Sequence, residues 1–483
     1  MRKLSSTTAA LLLLAATASS VSITPVAAAK PALKFGTCPD DAATSAAASC
    51  ATLKVPLDYA KPQGRQITLT ISVDGNLNAE RFMLVNPGGP GAPGLGMESS
   101  IYEGLPPAMA KKFAVFGFDP RGIGASTPVN CGDTSKFAKH PAPPARPENA
   151  VQENQRVQQA RQIALACGAH SKELLPHITT ENAARDLDRI RIALGRDKID
   201  YLGYSYGTLL GATYATLFPA HVGRFVLNSV MDPALTTYRA NFTQDLALQQ
   251  RIDQMFSWAA ARDNTYHLGR TRIAVEAVWK DLLKKAKAHP IGGVAGAAEL
   301  GEAIIGPTYS ADSWPDFVAA MAQYRRGDGD PMLLAVNEAT AVPVDPGNLA
   351  YNCMDVGWPR DWRVWHRDTL LANAKAPLVA WGNTWFVAPC AFWPVMPVPA
   401  QRIGSVKVPP MLLIEPEYDG ATPLAGARRM HDALTGSRLL IQAGGDHASY
   451  LSNPDPCIDT RAERFWLTGE LPANHTCAWV PTP

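Results

Sequence analysis

The chain has 483 residues, 46% hydrophobic and 18% charged, enough to bury a large core as one domain with a sizeable insertion or as two domains. A formal net charge of +2 with no basic run gives no electrostatic footing for nucleic acid or an anionic membrane. There is no internal repeat and no apolar stretch long enough for a membrane-spanning helix, so no membrane span is expected.

Taken in chain order, the first segment has the pattern of a secretory leader. Arg2 and Lys3 precede an apolar block from Ala9 to Ala16, and small residues continue to Ala29. Ala16-Thr17-Ala18 and Ala27-Ala28-Ala29 both offer cleavage sites, so residues 1–29 are expected to be a signal peptide with room for a short pro-segment. The mature protein is then extracellular, free or at the cell wall. Eight cysteines suit that compartment: Cys38, Cys50, Cys131, Cys167, Cys353, Cys390, Cys457 and Cys477. Eight allow about 105 pairings; proximity alone favours joining each to its neighbour in that order. With no C-x-x-C and no clustered histidines, no metal site is expected, and the serine chemistry described below needs no cofactor.

Gln66 to Val73 alternates as a strand does, and Arg81–Asn86 and Phe113–Asp119 are short apolar runs ending in turn residues. Such runs suit buried strands of a parallel sheet. A helix is predicted over Glu181–Leu194, whose Ala183, Leu187, Ile190 and Leu194 recur at helical spacing. Strands follow at Ile199–Tyr204 and Gly223–Val230. Two more are predicted at Pro410–Glu415 and Arg438–Gln442, with a helix over Leu424–Leu434 between them. Strands alternating with helices indicate an α/β sheet covered on both faces. The stretch from Ala234 to Ser405 breaks this rhythm with helical patterning (Asp245–Met255, Ile273–Lys287) and then Pro-, Trp- and Gly-rich sequence. It reads as a cap inserted between two strands, and caps exclude water from a reacting centre.

Chemistry is concentrated where those strands end. Gly203-Tyr204-Ser205-Tyr206-Gly207 lies between a strand and a helix, a G-x-S-x-G turn that lifts a serine hydroxyl above the sheet edge. A serine nucleophile needs a base and a group to orient the base. Asp419, in Asp419-Gly420-Ala421-Thr422-Pro423, and His447, in Gly444-Gly445-Asp446-His447, each follow a late strand and stand in the order this turn requires. Asp446, Glu415 and Glu417 compete for the acid role; Asp446 is adjacent to the histidine, which makes its geometry poor. The developing oxyanion needs backbone N–H donors. Tyr206 supplies one and Gly89, in Asn86-Pro87-Gly88-Gly89-Pro90-Gly91, the other.

These motifs together resemble the proline iminopeptidase and tripeptidyl aminopeptidase family of α/β-hydrolase serine peptidases, and the secreted actinomycete members most. Asn86–Gly91 is similar to the family's oxyanion turn, with Pro87 where proline iminopeptidases carry His, and Asp119-Pro120-Arg121-Gly122-Ile123-Gly124-Ala125-Ser126 is similar to its Asp-x-Arg-Gly-x-Gly-x-Ser segment. The elbow and the acid loop match as well, so the resemblance runs from about Val55 to Cys477. It departs at Asp446, where the family commonly has glycine, and in the cap. The resemblance implies an α/β-hydrolase fold, a mostly parallel sheet with helices on both faces and an inserted, mainly helical cap. Residues 30–233 and 406–483 would form the sheet domain and 234–405 the cap. It also implies an exopeptidase that releases short peptides or single residues from substrates with a free amine. Carboxylates of the cap would pair with that ammonium; Glu338 and Asp355 are the candidates, because their surroundings are apolar and rich in Trp and Pro, whereas Glu276, Glu299 and Glu302 are expected to face solvent. An esterase with the same three residues is the rival reading, since the fold does not fix the scissile bond. A binding protein without catalysis is a third.

Overall fold

Among the described residues, short and mostly apolar runs form nine strands: β1 (Ser49–Pro56), β2 (Gln66–Asp74), β3 (Arg81–Asn86), β4 (Phe113–Phe118), β5 (Ile199–Tyr204), β6 (Val222–Asn228), β7 (Leu412–Pro416), β8 (Arg438–Gln442) and β9 (His475–Cys477). The computed structural model describes residues 33–39, 48–137, 140–233, 237–340, 345–355, 357–397, 401–448 and 450–478. The expected leader lies outside them. The strands form one sheet in the order β1-β2-β4-β3-β5-β6-β7-β8-β9. β1 and β4 run antiparallel to β2, and every other neighbouring pair is parallel. The parallel strands β4, β5 and β7 are buried at every position, because helices cover both faces.

Chain order reverses at β3. The chain leaves β3 for β4 on one side, through the helix Met97–Gly104, and returns through the helix Thr180–Ala193 to β5 on the other side. The first helix packs with Met83, Val85 and Leu202 on one face of the sheet; the second packs with Leu84 and Tyr201 on the opposite face. Such a reversal opens a crevice at the carboxyl ends of the strands, where α/β folds bind ligands. β3 and β5, whose ends carry the Asn86 turn and Ser205, are the two strands that flank it.

The sequence reading passed over β1 and the helix Ala150–Ser171. β1 carried a signal, since Ala51, Leu53 and Val55 are buried while Thr52 and Lys54 are exposed. The helix carried little: it is rich in Gln and Arg, and it buries only small or branched residues such as Val157, Ala160 and Ile163.

Between the neighbouring parallel strands β6 and β7 the chain runs through a series of helices, including Thr237–Ala260, Arg272–Ala288, Trp314–Arg326, Asp330–Thr340 and Pro346–Met354. Much of this region has a core of its own, built from Ile252, Phe256, Trp279, Val318, Met321 and Val379. The disulfides join Cys38–Cys50, Cys131–Cys167, Cys353–Cys390 and Cys457–Cys477, the neighbour pairing. No described helix is long and apolar enough to cross a membrane.

Candidate active site

Ser205 sits between β5 and the helix Tyr206–Leu217 with φ 54° and ψ −124°, a backbone conformation that a non-glycine residue seldom adopts. The turn is held by its neighbours. The Ser205 N–H donates to the Asn228 carbonyl at the end of β6 (3.0 Å), and the Thr208 hydroxyl donates to the Ser205 carbonyl (2.6 Å). The flanking glycines have no room for a side chain. A methyl group on Gly203 would lie 2.5 Å from the Gly207 carbonyl oxygen, and one on Gly207 would lie 2.7 Å from that of Asn86. The G-x-S-x-G spacing is therefore a requirement of the close crossing of strand, turn and helix.

The turn after β3 packs directly on this elbow. Gly88 and Gly89 both have φ of 102°, in the region that favours glycine. A methyl group on Gly88 would sit 2.5 Å from the Tyr204 carbonyl oxygen and 3.1 Å from the Tyr206 nitrogen. The two segments expected to donate to an oxyanion are thus in van der Waals contact. As the first residue of its helix, Tyr206 has an N–H without an intrahelical acceptor. Asn348, near the start of the helix Pro346–Met354, donates through Nδ2 to the Pro90 carbonyl at 2.6 Å and so braces the turn from outside.

Asp419 follows β7 and His447 follows β8, and the two strands are parallel neighbours. Their loops leave at the same edge, and His447 Nδ1 lies 2.8 Å from Asp419 Oδ2 and 3.0 Å from Oδ1. Asp419 also accepts from the Ala421 and Thr422 N–H groups and from the Thr422 hydroxyl. Burial alone would push its carboxyl up; the His447 charge, the His447 hydrogen bond and those from Thr422 and Ser229 outweigh burial and hold it below the usual carboxylate range. An ionised carboxylate only accepts, so the Nδ1 that faces Asp419 is the donor of this hydrogen bond. The competing acids are elsewhere. Glu415 is fully buried and accepts from the Val230 N–H at 2.6 Å, Glu417 is exposed, and Asp446 faces Arg251 and the Ala311 N–H.

The carboxylates expected to meet a substrate amine are differently placed. Glu338 is exposed on the helix Asp330–Thr340, without the apolar enclosure its sequence suggested, because Met332 and Val336 turn to the opposite side and into the helical core. Asp355 ends the helix Pro346–Met354 and accepts from both the N–H (2.8 Å) and the hydroxyl (2.6 Å) of Thr180, capping a helix 175 residues earlier in the chain. Thr180 Oγ1 is also 2.6 Å from the Tyr206 hydroxyl, so Asp355 reaches the elbow through one intermediary. Burial pushes its carboxyl up to about 6. Glu299 corrects a further expectation. It does not face solvent but is 2% exposed, accepting from the N–H groups of Ala142 and Gly296 and lying 2.8 Å from His140 Nδ1. Among the described residues, Cys457, His475 and Cys477 form the grouping nearest to a metal-ligand set, and its two sulfurs are joined in a disulfide.

Sequence reasoning missed the residues that tie these loops together. Ser229, with φ 56° after β6, accepts from the Ala448 N–H at 2.7 Å and hydrogen-bonds Asp419. Gln244 donates to the Ala421 carbonyl at 2.9 Å. Asp245, beside it, is 1% exposed and accepts from Asn383 Nδ2 at 2.7 Å; burial pushes it up to about 7. A lone serine or a polar residue on a helix gives no local pattern by which to find it.

Comparison with known proteins bears on what this arrangement belongs to. Residues 376–477, which include Asp419 and His447, match the family described as "TAP-like protein". The chain is 39% identical over 454 residues to the tripeptidyl aminopeptidase of Streptomyces lividans, covering 90% of this chain and 84% of that one. It is 26% identical over 463 residues to the serine protease Hip1 of Mycobacterium tuberculosis, covering 88% and 86%. To a protein of the same organism named carboxylesterase B it is 30% identical over 457 residues, covering 88% and 85%. A strained serine on a strand-to-helix turn of a nine-stranded, mostly parallel sheet, with that degree of identity over that length, places this chain in the tripeptidyl aminopeptidase family of α/β-hydrolase serine peptidases.

Proposed function

We propose that this protein is an exported exopeptidase that removes short peptides from the free amino terminus of its substrates through an acyl-enzyme on Ser205. The observation that carries the reading is the Asp419–His447 pair, hydrogen-bonded at 2.8 Å on the sheet edge that also bears the strained Ser205. In the first step the Ser205 oxygen attacks the scissile carbonyl and His447 Nε2 takes its proton. Asp419 fixes the imidazole tautomer and stabilises its charge. The N–H groups of Gly89 and Tyr206 meet the oxyanion, which a preorganised donor stabilises more than the ground-state carbonyl. His447 then protonates the leaving amine, and water, activated by the same imidazole, releases the acyl group.

The helices between β6 and β7 act as the cap of residues 234–405 and exclude water from this centre. Of the two carboxylates expected to pair with the substrate ammonium, the exposed position of Glu338 supports no role in a water-poor pocket. Asp355, linked to Tyr206 through Thr180, keeps that role in this reading. Export is supported by four disulfides and by the basic, apolar and small-residue order of residues 1–29. The esterase reading is favoured by the resemblance to carboxylesterase B. A free-amine tripeptidyl amide, its N-acetylated twin and a simple aryl ester separate the two. The aminopeptidase reading requires cleavage of the first with loss of at least about 10²-fold in kcat/KM on acetylation, the size expected when a buried charge loses its partner. Equal rates on both amides, or turnover of the ester alone, would overturn it.

A further inference from the structure

His447 is held from two sides, by Asp419 on one and by the helical insertion on the other. Arg251, in the helix Thr237–Ala260, is 3% exposed although it carries a full charge. Its Nη2 donates to Asp446 Oδ1 at 3.0 Å, its Nη1 to Gln254 Oε1 at 2.8 Å and its Nε to the Thr308 carbonyl at 3.3 Å. The guanidinium also lies 4.8 Å from the centre of the Trp314 ring. Asp446 in turn accepts from the Ala311 N–H at 2.8 Å and from Asn453 Nδ2 at 3.2 Å. The next residue is His447. Its backbone N–H donates to the Tyr309 carbonyl at 2.8 Å, and its ring meets that of Tyr309 edge-on at 5.2 Å.

Two glycines record how tightly this arginine fits. A methyl group on Gly445 would lie 2.6 Å from Arg251 Cζ, and one on Gly420 would lie 3.2 Å from Arg251 Cγ. Gly420 follows Asp419, and Gly445 comes two residues before His447. One side chain from the insertion therefore lies under the loops of both the acid and the base.

We propose that Arg251 is a positioning residue for His447, acting through Asp446, so that the helical insertion sets the alignment of the base as well as covering the site. The proposal rests on the reading of His447 as the base. Its physical ground is that a buried cation is tolerated only where its partner stands, since an unpaired buried charge is strongly unfavourable. The Arg251–Asp446 pair thus fixes the residue next to His447 directionally, which apolar packing of the same volume does not. His447 must present Nε2 first to the Ser205 hydroxyl and then to the leaving amine, and a shift of about 1 Å in such a group lowers the rate about 10²-fold.

The test uses the full-length protein and a free-amine tripeptidyl amide, with kcat and KM measured for R251M, D446N, the double variant and H447Q. Each single variant at the latch is expected to lower kcat about 10–100-fold while KM changes less than about threefold. The double variant should be no slower than the poorer single, because both remove the same ion pair. D446N replaces one carboxylate oxygen in a half-buried loop and decides the matter if R251M does not fold. A kcat in D446N within about twofold of the parent, a loss confined to KM, or losses that multiply in the double variant would each overturn the proposal. H447Q separates this proposal from the reading beneath it. An inactive H447Q beside a fully active D446N removes the positioning role alone, whereas an active H447Q removes the base and the positioning role together.

Discussion

The sheet edge and the helical insertion meet at the same loops, but they hold them by different means. At the sheet edge the backbone does the holding: Gly203 and Gly207 let strand and helix cross, and Gly88 lets the β3 turn lie on the Tyr206 nitrogen. On the insertion's side the holding is done by long polar side chains, with Arg251 on Asp446, Gln244 on the Ala421 carbonyl and Asn348 on the Pro90 carbonyl. The two means tolerate change differently. A backbone crossing has no slack, because any Cβ collides, whereas a side-chain contact can be weakened in steps. Positioning at the edge should therefore be lost all at once and positioning from the insertion by degrees.

That contrast can be broken or sharpened by experiment, and the largest effect belongs to the sheet edge. Ser205→Ala should lower turnover about 10⁴–10⁶-fold while leaving the thermal midpoint near that of the parent; wild-type turnover in a folded S205A protein would end the account of the edge. Gly88→Ala comes next. Its methyl group would displace the β3 turn from Tyr204 and Tyr206, and the rate should fall about 10²–10³-fold, the size of a lost oxyanion donor. Initial rates on a folded G88A protein within threefold of the parent would show that the turn has slack after all.

Smaller effects lie in the insertion. The Cys353–Cys390 bridge closes a stretch with sequence separation 37 there. Replacing both cysteines with serine should reduce stability by about 2–4 kcal/mol, read as a lower midpoint in urea. Unchanged stability would mean that the helical core carries the region unaided. The last effect concerns pH and is small at any one pH step. Burial pushes Asp245 up to about 7, whereas an unfolded aspartate titrates near 4. Between those values the native state keeps a proton that the unfolded chain has released, so stability falls as pH rises through that window. Asp245→Asn should flatten this decline by up to about 1.4 kcal/mol per pH unit. Urea titrations at several pH values check it, and identical slopes in both proteins would contradict it.

Much of the edge was legible before any coordinates. Apolar runs located β2 to β8, and the glycines around Ser205 and Gly89 located two of the turns, because a side chain at Gly88, Gly203 or Gly207 would collide with backbone. Where the reading went astray, packing direction decided. Glu338 stands among apolar neighbours in sequence, yet the helical period sends Met332 and Val336 inward and leaves the carboxylate outside. Glu299 seemed a surface residue of a helix, but an approaching segment at His140–Ala142 gives its carboxylate partners and buries it.

The amino-acid sequence by itself determined the sheet, the elbow and the order of serine, acid and histidine, since these depend on local periodicity and on close backbone crossings that only glycine allows. The tertiary structure alone decided that Asp355 caps a helix 175 residues away, that Glu299 is buried against His140, and that Arg251 lies beneath the loops of both Asp419 and His447. Those contacts join residues far apart in the chain through side chains whose partners leave no periodic trace, so only the folding of the insertion onto the sheet edge brings them together.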